Sequence, residues 1–181
     1  DAAMGKCIAI GKEAMTGTAN NAQSGTIAIG HKALTALTTG AGNIAIGYQA
    51  MMTANAGEEN NTVIGYEALK INDAAGCDNN TVIGYQAGDA LTSGYENTII
   101  GASAEASAVN GGNQVVIGYG ATGQANDSVT LGNAAVTAVY MSQDSGAVVY
   151  CSGVNFPDDA TAGVADINTL DAYEEGTWTP Q

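Results

Sequence analysis

At 181 residues the chain has room for one ordinary domain and a short appendage. Its net charge of −14, from 18 acidic and 4 basic side chains, sets it against nucleic-acid phosphates and anionic lipid. Hydrophobic residues make up 45% of the chain and charged ones only 12%, yet it has one Phe and one Trp among 25 glycines, which predicts thin, closely spaced layers of small side chains.

From the N-terminus a short apolar run ending in glycine recurs eight times, at Gly11, Gly30, Gly47, Gly65, Gly84, Gly101, Gly118 and Gly132. An alanine follows each glycine three residues on, from Ala14 to Ala135. The glycines are 19, 17, 18, 19, 17, 17 and 14 residues apart, which is too short for a pair of helices and suits one turn of a β-solenoid. A parallel solenoid of about eight coils over residues 1–135 is therefore expected, and a rod presents a surface more readily than it encloses a pocket. No run approaches the roughly 18 apolar residues that span a membrane.

Within each coil the residue before the glycine is Ile10, Ile29, Ile46, Ile64, Ile83, Ile100, Ile117 or Leu131. Side chains alternate along a strand, so the intervening column from Ala9 and Ala28 through Ala45, Val63, Val82, Ile99 and Val116 to Thr130 lies on the opposite face. Both faces are mainly apolar. A coil with one face inside itself and the other in water would alternate apolar with polar, so a second face of this kind needs cover. Another copy of the chain, closed around a rotation axis, supplies it, and the pattern alone does not choose dimer from trimer. Ala45, Val63, Val82, Ile99 and Val116, with Ile46, Ile64, Ile83, Ile100 and Ile117, are the expected core or copy-facing positions. The Ala/Val side is taken as the one needing cover.

Ahead of each strand stands an asparagine column, Asn43, Asn61, Asn80 and Asn97, in which Thr26 and Gln114 are among the stand-ins. Stacked asparagines form hydrogen-bonded ladders between successive strands. After the glycine, Tyr48, Tyr66, Tyr85 and Tyr119 share one position, interrupted by Lys12, His31, Ala102 and Asn133. This aromatic column reads either as stacking that stiffens the rod or as a sugar-binding strip.

Beyond Leu131 the pattern dissolves. Residues 136–157 read as a β-hairpin, with Asp144-Ser145-Gly146 at its turn, and 158–181 as an acidic linker leading to a further C-terminal domain. The start at Asp1, with no signal peptide in view, suggests a piece of a longer protein. Cys7, Cys77 and Cys151 are distant and odd in number, which fits no metal spacing and no complete set of intrachain bridges. That favours thiols packed as small hydrophobes, with a threefold bridge between chains as the alternative.

Two resemblances arise from these motifs. Residues 7–135 resemble the head repeats of trimeric autotransporter adhesins, where N-S-x-A-I-G-x-x-A units recur, and the 14-residue step from Gly118 to Gly132 suits them well. The longer coils with N-T-V-I-G-Y-Q-A strings (Asn80 to Ala87), together with Glu174-Glu175-Gly176-Thr177-Trp178-Thr179-Pro180 near the end, are similar to bacteriophage tail fibre and tailspike proteins. What the resemblance implies is an all-β, left-handed parallel β-roll intertwined as a homotrimer. It also implies a structural and adhesive tail fibre segment on the virion that meets a host glycan or protein receptor. The alternatives are a bacterial cell-surface adhesin head and a fragment of a polysaccharide-cleaving tailspike.

Catalytic chemistry has little to build on. The single histidine, His31, has no acidic neighbour in its own repeat and reads as a surface residue, and the carboxylates sit mainly in loops and the tail, so no enzyme is expected. No cofactor is expected either. Calcium is the one ion with matching oxygen ligands, at Glu58-Glu59-Asn60-Asn61 and Asp78-Asn79-Asn80, though no D-x-D-x-D-G loop is present.

Overall fold

A computed structural model describes residues 6–17, 24–54, 57–71 and 76–140. The chain divides into two compact units, 1–139 and 140–181, and the architecture below is that of the first. Its described residues contain no helix. Eight short strands run β1 (Ile8–Ile10), β2 (Ile27–Ile29), β3 (Ile44–Ile46), β4 (Thr62–Ile64), β5 (Thr81–Ile83), β6 (Thr98–Ile100), β7 (Gln114–Ile117) and β8 (Ser128–Leu131). They pair in sequence order as one parallel sheet, so the unit is a β-solenoid whose eight strands bound seven turns. Register is strict: Ala45 lies beside Val63, Val63 beside Val82 and Val82 beside Ile99, which puts equivalent residues of each repeat in line.

The glycine at each strand end explains the tight corner. Gly84 has φ +146°, and a Cβ placed on it would collide with the Gly101 carbonyl of the next coil. Only glycine lets the two backbones approach so closely there. The segment after the corner is held between coils by backbone bonds that alternate in direction. Gln86 N donates to Tyr66 O at 2.8 Å, and Leu69 N donates to Ala87 O at 2.9 Å.

Ala45, Val63, Val82, Ile99 and Val116 are fully buried inside the chain's own coil, against the post-glycine alanines Ala50, Ala68 and Ala87. Opposite them lies a column that the repeat alignment did not single out, Leu34, Met51 and Leu69, also fully buried. These three have φ between +44° and +50°, a left-handed conformation that costs an L-residue about 1–2 kcal/mol. Their backbone N–H groups bond to the following coil, at 2.9 to 3.1 Å, which offsets that cost.

This packing corrects the assignment of faces. The Ala/Val column needs no cover from outside, because its own coil covers it. The isoleucine column points outward: Ile46, Ile83 and Ile100 are half-buried, and Ile64 and Ile117 are exposed. The hairpin expected over 136–157 is not seen in its first part, since Val136 to Tyr140 form no strand. The rest of that hairpin, the 158–181 linker and Cys151 lie outside the described residues.

Candidate functional surface

Three parallel columns run down the solenoid, and each arises from one position of the repeat. The first is interior. Asn61, Asn80 and Asn97 each receive the same treatment: the side-chain oxygen of the preceding asparagine accepts from both the backbone N–H and the side-chain amide, at 2.9 to 3.1 Å. The remaining amide proton goes to a loop carbonyl, Cys77 O at 2.8 Å, Gly94 O at 2.9 Å and Gly111 O at 2.8 Å respectively. Gln114 continues the ladder by donating its backbone N–H to Asn97 Oδ1 at 3.0 Å. All of these side chains are buried, so the ladder fixes the loops to the strands and is not a binding surface. At Thr26 the ladder has run out, and its hydroxyl is buried without a hydrogen-bond partner.

The second column is the aromatic one. Tyr48 and Tyr66 stack with ring centroids 4.9 Å apart, and Tyr66 and Tyr85 at 5.4 Å. His31 belongs to the same stack, 5.2 Å from Tyr48 and tilted by 16°, where the sequence suggested an interruption. Its place directly after Gly30 was the available signal, because an imidazole is as flat as a phenol. Partial burial in the stack, with the Glu67 carboxylate and the flanking phenols adding to it, raises the Tyr66 hydroxyl above its usual range. Glu67 is anchored by Lys70 Nζ at 2.8 Å and Gln86 Nε2 at 2.9 Å, and those two bonds hold its carboxyl below the ordinary carboxylate value. Tyr119 is separated from the stack by Ala102 and is 76% exposed.

The third column is the outward isoleucine face. Beside Ile46, Ile64, Ile83, Ile100 and Ile117 runs a second outward row, Ile44, Thr62, Thr81, Thr98 and Val115. The face is therefore aliphatic along its whole length apart from three threonines. Parallel sheets are normally covered on both sides, and among the described residues only the inner side is.

The acidic side chains are scattered around these columns. Glu58 is fully buried, and Asp78 Oδ1 accepts from the Glu59 N–H at 2.8 Å, so the two candidate calcium loops are joined by a protein hydrogen bond. Among the described residues no three His, Cys, Asp or Glu side chains gather as metal ligands. Burial, reinforced by the Glu58 and Asp78 charges, pushes the free Cys77 thiol up to about 12, so it behaves as a small hydrophobe. Asp89 and Glu105, on adjacent coils, form one hydrogen-bonded carboxyl pair, and Asp89 N–H also donates to Glu105 Oε1 at 3.0 Å. Burial first and Asp89 second raise Glu105 to about 7. Carboxyls in direct contact are closer than the roughly 5–9.5 Å at which glycosidase pairs flank a sugar. A concavity at the last coil, lined by Gly120, Thr122, Gln124, Thr130, Gly132 and Asn133 among others, contains no acid, base or thiol.

No protein-family model, curated protein or solved structure matches this chain.

Proposed function

We propose that the chain is a structural and adhesive segment of a bacteriophage tail fibre, in which three copies wrap their outward isoleucine faces around a common axis as a left-handed β-roll. The observation that carries this reading is the aliphatic outer face of a parallel sheet whose inner face is already packed by its own coils from β2 to β7. Two-sided cover is the rule for parallel sheets, and closed rotational symmetry gives cover without free ends. The task of such a segment is stiffness. In-register strands tie each coil to the next, interior asparagine bonds and stacked rings reinforce the middle coils, and none of them forms a catalytic centre.

Host attachment follows from the same construction. Loops and aromatic edges repeat along the rod and around three copies, so weak contacts with an envelope glycan or protein add up. A bacterial adhesin head remains the second reading, favoured by the short final coil between Gly118 and Gly132. Incubating the protein with purified capsule or lipopolysaccharide from a panel of strains tests the attachment role. The proposal expects retention on at least one polysaccharide with its chain length unchanged. Shortened chains would make the protein a depolymerase instead, and failure to bind any strain's envelope would remove the adhesive role.

A further inference from the structure

We propose that the gap in the aromatic column between Tyr85 and Tyr119, floored by Ala102, is a binding site for one neutral pyranose ring of a surface glycan. This deepens the attachment reading by naming a ligand class, and it needs no second copy of the chain. Register defines the gap. Ser103 N donates to Tyr85 O at 2.8 Å, and Gly120 N donates to Ala102 O at 2.9 Å, so positions 85, 102 and 119 stand directly above one another. The strand pairing agrees, with Ile83 beside Ile100 and Ile100 beside Ile117.

Spacing sets what fits. Neighbouring rungs of the intact stack are 4.9 to 5.4 Å apart, so two steps without a ring in the middle leave about 10 Å between tyrosine positions. A six-membered ring seated over Ala102 stands about 5 Å from each side, the separation that the native rungs adopt. Tyr85 is the C-terminal end of the stack, and its outer ring face meets no aromatic neighbour on the next coil, as His31 at the other end meets Lys12 and not a ring. Tyr85 is 51% exposed, and Tyr119 and Ser103 beside the gap are exposed as well.

That openness decides between a sugar and an aromatic side chain. An aromatic guest would gain two stacking faces but keep its apolar edge in water. A pyranose offers C–H groups to both tyrosines and sends its ring of hydroxyls outward, to water, to Ser103 and to the two phenols. Charge narrows the class further. Asp89 lies on the coil of Tyr85 and Glu105 on the coil of Ala102, and the protein carries −14 overall, so acidic sugars are disfavoured.

Saturation-transfer NMR on the full chain tests this, with millimolar methyl pyranosides of glucose, galactose, mannose and N-acetylglucosamine, and N-acetyltyrosinamide as the aromatic probe. Expected is transfer to the ring protons of at least one pyranoside, exceeding that to N-acetyltyrosinamide. The signal should fall about fivefold or more in Ala102→Tyr, which fills the gap with a rung, and in Tyr119→Ala, which removes one wall. Tyr119 is so exposed that its truncation leaves the fold intact even if Ala102→Tyr does not fold. No transfer to any pyranoside, equal transfer in wild type and both folded variants, or preference for N-acetyltyrosinamide would overturn the proposal. The solution mass of the same sample separates this site from the three-copy reading, since a monomer that binds sugar keeps the site and a trimer that binds none loses it.

Discussion

The middle coils and the end coils share one repeat but differ in how much of each residue's environment the neighbours supply. In β3 to β6 the inward residues Ala45, Val63, Val82 and Ile99 are fully buried, and each asparagine of the ladder has a partner on at least one adjacent coil. In β1 every residue is exposed, Ala9 included, and in β8 the inward Thr130 is only half-buried while Val129 is 66% exposed. A coil of this fold therefore has little core of its own. Its burial is created by stacking, as in other one-dimensional repeat architectures.

The largest expected effect separates two glycines at the same repeat position. A methyl group on Gly84 meets the backbone carbonyl of Gly101, whereas on Gly132 it meets only Val136, which lies in an exposed segment outside the strands and must shift. The φ of +84° at Gly132 adds about 1–2 kcal/mol of backbone strain. Gly84→Ala should cost about 4 kcal/mol or more and yield misfolded protein, and Gly132→Ala should remain soluble with a modest loss. Expression and thermal melting of the pair check this, and equal melting temperatures would contradict it.

Next is the ladder. Asn61→Ala strips partners from the buried Asn80 N–H and the Cys77 carbonyl, at about 1–3 kcal/mol for each group left unsatisfied. Ser128→Ala, at the corresponding end position, removes one exposed bond from its hydroxyl to Ala125 O and should cost about 1 kcal/mol or less. Denaturant midpoints read the difference.

The aromatic column gives a smaller contrast. Tyr66→Ala breaks two stacked pairs at about 0.5–1.5 kcal/mol each, while Tyr119→Ala should stay within about 0.5 kcal/mol of wild type.

The smallest effect is a pH step on the middle coils. Glu105 has a folded value of about 7, raised from 4.5, so the folded state holds a proton that the unfolded chain gives up. The stabilisation is complete below about pH 4.5 and is lost as pH rises through about 7. Because the group is partly open to solvent, about 1 kcal/mol is expected to disappear between pH 5 and 8. Glu105→Gln should flatten that step in melting temperature, and an unchanged slope would show that it comes from the remaining acidic surface.

Much of this fold was legible because its period is short and strict. The Gly-x-x-Ala spacing located all eight strands, and the asparagine column pointed to a hydrogen-bonded ladder, though not to its burial. Which strand face points inward was not legible. Ala, Val and Ile are apolar on both sides, and the residues that decide the matter, Leu34, Met51 and Leu69, lie in turns with left-handed backbones where propensity gives no hint of burial. The aromatic column was half legible. Tyrosine recurrence marked it, but His31 as a rung and the Tyr85–Tyr119 gap depend on ring geometry and exact register.

Solution mass, by sedimentation or light scattering at micromolar concentration, confronts the outward isoleucines with their consequence. If identical chains shelter that surface, the 18.0 kDa polypeptide should run as one species of three times that mass. A stable particle of single-chain mass, with its Ile46, Ile64 and Ile83 side chains in water, would contradict the account.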